Sequence, residues 1–125
     1  MNVLKSKNAP EAIGPYSQGK EAGGFCFFSG QIAIDVASGE MVQTSFENEV
    51  RQVMNNISHL LKDNNLCFED LVKVNISLTD MSMFSSFNEI YSGYVKKPYP
   101  ARACVAVKEL PKGANVEIEV IAFRQ

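Results

Sequence analysis

The sequence predicts an α+β sandwich: two helices on one face of a mixed sheet of about six strands, in the order β-β-β-α-β-α-β-β. Three observations carry that expectation. Leu71 to Asp80, Pro100 to Val107 and Val116 to Phe123 alternate from residue to residue, the period of half-buried strands. Phe46 to Leu61 and Phe84 to Val95 repeat apolar residues at helical spacing. Gly and Pro residues separate the segments where short turns would fall.

In order, Met1 to Ser6 suits a short edge strand. Tyr16 to Ala22 and Phe25 to Ser29 flank Gly23-Gly24 and predict a hairpin. The run FCFFSG is apolar on both faces, which calls for a cover on each side. Ser38-Gly39 marks a turn before the first helix, and Thr44-Ser45-Phe46-Glu47 offers that helix a capping box. Phe46, Val50, Val53, Met54, Ile57, Leu60 and Leu61 form its stripe, and Asn64-Asn65 suits a left-handed C-cap. The next strand sets Val72, Val74, Ile76 and Leu78 against Lys73, Asn75, Ser77 and Thr79. The second helix starts near Ser82, turns Phe84, Phe87, Ile90, Tyr91, Tyr94 and Val95 inward, and ends before Pro98.

The last two strands carry the chemistry. In PARACVAV, Arg102, Cys104 and Ala106 point one way and Ala103, Val105 and Val107 the other. In VEIEVIAF, Glu117 and Glu119 oppose Val116, Ile118 and Val120. The short loop KELPKGAN holds Pro111 and Gly113, so the two strands are expected to pair as a hairpin. That pairing would gather Arg102, Cys104 and Glu117 on one side of the sheet. With both helices on the other side, the open face would carry this cluster beside the apolar Phe25–Ser29 run. An exposed apolar patch of that size marks an interface. An oligomer packed through open sheet faces follows, with the polar cluster near the seam, where small-molecule pockets are common.

Composition narrows the function classes. A chain of 125 residues forms one domain, 1–125, that buries roughly two-thirds of its unfolded surface. Hydrophobic residues make up 46% and charged residues 21%, ordinary for a globular protein. The net charge of −2 and pI near 5.4, with no Lys/Arg stripe, argue against nucleic acid as partner. No segment is long and apolar enough to span a membrane, and the N-terminus lacks a signal-peptide core, so a cytoplasmic location is expected. Cys26, Cys67 and Cys104 form no C-x-x-C pair, and with a single His a metal site is not expected; free thiols are.

Arg102 carries a planar fork suited to a carboxylate. On an inner sheet face it needs an anionic partner, because an unpaired buried charge costs several kcal/mol or more. That partner is either Glu117 or Glu119 of the chain itself or a carboxylate arriving with a substrate. Glu117 in a partly dry pocket would be lifted by desolvation and pulled down by a nearby Arg, a balance that suits a group handling the protons of a water. Glu119, nearer the strand end, reads as solvated or ion-paired. His59 lies nearly opposite its helix's apolar stripe and faces solvent, so Cys104 has no base and reads as a packing residue or a weak partner seating a water. Tyr16 in IGPYSQG and Ser29 in SGQ are, taken alone, bland loop and strand-end residues.

Together, NAPEAIGPYSQG, the SGQI at Ser29 to Ile32, PARACVAV and LPKGANVEIEVIAF resemble, in sequence and order, the RidA/YjgF family of small imine deaminases. The resemblance spans essentially the whole chain. It implies a chorismate-mutase-like fold, a homotrimer with three clefts between subunits, and hydrolysis of reactive 2-imino acids and their enamine tautomers to 2-oxo acids and ammonia. The substrates would be 2-iminobutanoate and 2-iminopropanoate, released by pyridoxal-phosphate dehydratases. Carried over by position, Arg102 binds the substrate carboxylate, Glu117 positions or activates the water and Cys104 lines the water site. Tyr16, Ser29 and Asn88 line the cleft. No cofactor or metal is implied. A ligand-sensing or regulatory module using the same cleft is the alternative, and an endoribonuclease is disfavoured by the acidic balance.

Overall fold

A computed structural model describes all residues, 1–125. The strands are β1 (Asn2–Leu4), β2 (Gly19–Ala22), β3 (Phe25–Gln31), β4 (Leu71–Leu78), β5 (Ala101–Ala106) and β6 (Val116–Phe123). The helices are α1 (Phe46–Asp63) and α2 (Phe84–Tyr91). The predicted order holds, and the six strands form one mixed sheet in the order β1-β2-β3-β6-β4-β5. Only β4 and β5 run parallel, joined by a crossover through α2; the other neighbours are antiparallel.

The helix α1 forms where its stripe dictates. Val50, Val53, Met54, Ile57, Leu60 and Leu61 are at most 1% exposed, and burying each side chain is worth roughly 1.5–3 kcal/mol. The cap lies one residue later than the sequence suggests. Ser45 Oγ accepts from the Asn48 N–H at 3.0 Å, while the Asn48 side chain, not Glu47, reaches back to Thr44 at 2.9 Å. Asn65 adopts φ +60° at the other end, the expected left-handed residue. Two polar residues beside the stripe are also buried. Asn56 donates to the carbonyls of Ile32 and Ile34 at 3.2 and 2.9 Å. Glu49 accepts from the backbone N–H and side chain of Asn115 at 2.7 and 2.9 Å, tying α1 to the start of β6.

Three strand expectations are corrected. The final two strands are not a hairpin: β4 lies between them, parallel to β5 and antiparallel to β6. A short loop with Pro111 and Gly113 suggested the pairing, yet β6 offers an apolar row on one face and fills the centre of the sheet, leaving β5 at the edge. In β4 a register shift between Leu71 and Lys73 turns Leu71 to the core and leaves Val72 41% exposed, against the regular alternation expected. The first hairpin is real but shorter, and Tyr16 lies in the loop before β2. The second helix is also shorter than expected, a 3₁₀ turn at Met81–Met83 leading into α2.

Candidate functional site

Directly paired residues on neighbouring strands share a face of the sheet. Arg102 pairs with Val74 and Cys104 with Ile76, and both partners belong to the core under the helices. Glu117 pairs with Ser77, one residue out of phase with that row. Arg102 and Cys104 therefore lie on the helix side of the sheet and Glu117 on the open side. The expectation that Arg102, Cys104 and Glu117 gather on one side is corrected: one chain holds two candidate half-sites, one on each face.

The first half-site sits at the free edge. Arg102 Nη1 donates to Asn88 Oδ1 of α2 at 2.8 Å, and its Cζ lies 5.5 Å from the Phe84 ring centroid and 5.2 Å from that of Tyr91. Neither Glu117 nor Glu119 pairs with it; the chain's one salt bridge joins Arg124 to Glu21. A cavity of about 310 Å³ opens here between Asn88, Tyr91, Val95, Tyr99 and Arg102. Cys104 is half-buried against the core, and burial raises its thiol pKa, with partial relief from the Arg102 charge. His59 is exposed, as expected, so no imidazole supports a thiolate.

The second half-site forms where β3 breaks register with β6 between Phe28 and Gln31. Gly30 lies there against Glu117: a Cβ on Gly30 would stand 2.9 Å from the Glu117 carboxyl carbon. The space a side chain would fill is taken by the carboxyl group. A cavity of about 190 Å³ brings together Tyr16, Gly30, Gln31, Ile32, Pro111 and Glu117. Tyr16 reaches the site by its loop, its hydroxyl accepting from the Ile13 N–H at 3.4 Å. Ser29 Oγ donates to the Ser17 carbonyl at 2.6 Å and lines a neighbouring depression with Glu119. Burial raises the Glu117 pKa first, and the Glu119 charge raises it further. The expected downward pull from an arginine is absent, because Arg102 faces the other way. Glu119 is exposed and accepts from Asn75 Nδ2 at 3.1 Å.

Around Glu117 the open face carries Phe25, Phe27, Val105 and Phe123, between 37% and 52% exposed. Phe25 and Phe123 meet edge to face at 4.9 Å. The apolar patch expected on this face is present, without Arg102 and Cys104. No group of His, Cys, Asp and Glu side chains is arranged to hold a metal ion, and no helix is long and apolar enough to cross a membrane. In sequence Gly30 is only a permissive glycine at a strand end; its closeness to Glu117 needs the β3–β6 register. The sequence reading took Phe84 and Tyr91 as packing alone; their spacing with Asn88 was the available signal.

The sequence profile of the family described as endoribonuclease L-PSP matches residues 6–124. The chain belongs to this family, the RidA/YjgF proteins. A RutC family protein of Pyrococcus horikoshii is 42% identical, covering 98% of both chains. The human 2-iminobutanoate/2-iminopropanoate deaminase is 39% identical over 98% of this chain and 89% of its own. The crystal structure of RidA from the Antarctic bacterium Psychrobacter sp. PAMC 21119 superposes with a TM-score of 0.94 at 38% identity, covering 98% and 99% of the two chains. The RidA fold thus extends over the sheet and both helices that carry the two half-sites.

Proposed function

We propose that this RidA-family protein hydrolyses 2-iminobutanoate, 2-iminopropanoate and their enamine tautomers to 2-oxo acids and ammonia. The observation that carries the reading is the state of Arg102. Its guanidinium is oriented by a neutral amide and two aromatic rings and has no carboxylate from its own chain. A charge left in that state is suited to a substrate acid.

The reaction needs little more than orientation and proton handling. Arg102 grips the carboxylate and fixes the neighbouring iminium carbon, which is already electrophilic. Glu117, held at a raised pKa against Gly30, takes a proton from water as the oxygen adds to that carbon. Glu117 passes that proton to nitrogen, the C–N bond breaks as the added hydroxyl becomes C=O and gives its own proton to Glu117, and ammonia leaves, taking this proton with it as ammonium. Cys104, kept as a neutral thiol, lines the water site; Tyr16, Ser29 and Asn88 line the cleft.

Because Arg102 and Glu117 lie on opposite faces, a working cleft takes each from a different copy of the chain. Homotrimer assembly through the apolar open face supplies that arrangement, with three clefts between subunits. The chain acts as a single domain, 1–125, in the cytoplasm, with no cofactor. The test supplies the imine from threonine with a dehydratase and follows 2-oxobutanoate. Arg102→Ala and Glu117→Gln chains are each expected to lose most of their activity alone, keeping a measurable remainder, and to regain it when unfolded and refolded together. A wild-type rate equal to buffer sinks the activity; an active wild type whose mixed variants regain nothing sinks the shared cleft.

A further inference from the structure

A long cationic side chain on an edge strand ordinarily samples many rotamers, and Arg carries about 2 kcal/mol of such freedom. Arg102 is constrained by one stripe of α2. Phe84, Asn88 and Tyr91 follow at steps of four and three residues, the spacing that stacks side chains on one helix face. The amide takes one guanidinium N–H at 2.8 Å, and the two ring centroids lie 5.5 and 5.2 Å from Cζ, within the roughly 6 Å over which a ring face attracts a cation.

None of the three groups carries a charge. They fix the direction of the guanidinium without cancelling it, which a structural carboxylate could not do. The cradle is itself anchored: Tyr91 stacks on Phe87 at 5.4 Å between centroids, and Phe87 is fully buried. The Tyr91 hydroxyl is buried with no hydrogen-bond partner, so what Tyr91 offers Arg102 is its ring face.

We propose that Phe84 and Tyr91 are positioning residues for Arg102, holding the guanidinium ready for a planar carboxylate through their ring faces. The inference rests on the reading of Arg102 as the carboxylate receptor. A preset fork gives up little freedom on binding, so the rings act on affinity. The carboxylate is held before and during the chemical step alike, and the effect therefore appears in KM while kcat stays nearly constant.

The test uses the assembled protein with 2-oxobutanoate as the carboxylate probe. Phe84→Leu and Tyr91→Leu are each expected to weaken its binding and raise KM about two- to fivefold, leaving kcat within a factor of about two. Tyr91→Phe and Phe84→Tyr, which keep the rings, are expected to match the wild type. Phe84 is only partly buried, so its variants remain informative if Tyr91→Leu fails to fold. A second readout needs no ligand. In the free wild type the Arg102 side-chain protons, assigned by their disappearance in Arg102→Lys, should resonate upfield through the ring currents and move back in either Leu variant. Wild-type protein that binds no 2-oxobutanoate and hydrolyses no imine defeats the functional reading, while the ring-current shift still judges the cradle. Unshifted Arg102 protons in the free wild type overturn the proposal. So do Leu variants with wild-type KM, or a Tyr91→Phe variant as weak as Tyr91→Leu.

Discussion

Gly30→Ala is the most direct probe of how Glu117 is held. A Cβ there would stand 2.9 Å from the Glu117 carboxyl carbon, 3.1 Å from Oε1 and 3.2 Å from Cγ. Carbon pairs attract best at roughly 3.5–4.0 Å, so the carboxyl must retreat by about half an ångström or more. The neighbour is the mobile end of a side chain, which keeps the stability cost near or below ~1 kcal/mol, under the usual range for overpacking. Catalysis is less forgiving. A misplacement of 1 Å can cost about 100-fold, so half that displacement should lower kcat roughly tenfold. KM should stay close to wild type, because the carboxylate grip on the helix side is untouched. Steady-state kinetics with dehydratase-generated imine supplies both constants, and a thermal melt supplies the control. The double variant Gly30→Ala/Glu117→Gln should be no slower than Glu117→Gln alone, since the alanine acts through a carboxyl no longer there to titrate. Wild-type kcat in Gly30→Ala, or a further tenfold loss in the double variant, would refute this account of the contact.

The pH dependence follows from the same carboxyl. In the proposed reaction its ionised form accepts the water proton, so activity is expected above its raised pKa and should be lost as pH falls through it, placing the acid limb above the ordinary glutamate value of about 4.3. Glu119→Gln should move that limb to lower pH without restoring the ordinary value, because burial is the larger cause; an unmoved limb contradicts it. The linkage has the matching sign: a pKa higher folded than unfolded means ionised Glu117 weakens the fold, so Glu117→Gln should be more stable near neutrality and lose that advantage as pH falls from the raised value to the ordinary one, with none left below it. Phe27→Glu, on a residue 46% exposed, should give monomers by light scattering, with wild-type far-ultraviolet dichroism and imine hydrolysis at the buffer rate. Retained assembly and activity would show that this face is not the seam. Asn56→Ala leaves two inward carbonyls without their donor and should cost about 2–3 kcal/mol in urea unfolding, at an unchanged m-value if the chain unfolds in one step.

Most of the architecture was readable because the signals were local. The α1 stripe, the Asn65 cap and the alternation of β6 depend on residues within a few positions of one another. Strand pairing does not. Alternation tells which residues of β5 share a face, but not which side of the sheet that face meets, and the short loop before β6 pointed to the wrong neighbour. Arg102 and Glu117 were therefore placed on the right strands and joined incorrectly in space. Buried polar residues were hidden for a related reason: Glu49 and Asn56 look like solvent-facing helix residues until the loops that supply their partners fold over them. Gly30 carried no signal of its own, since its space is used by a side chain far along the sequence.

Peroxide and similar oxidants attack the sulfur anion, and burial pushes the Cys104 thiol further above its ordinary range, against the opposing Arg102 charge. The thiol beside Arg102 on β5 is thereby slower to oxidise than an activated cysteine would be.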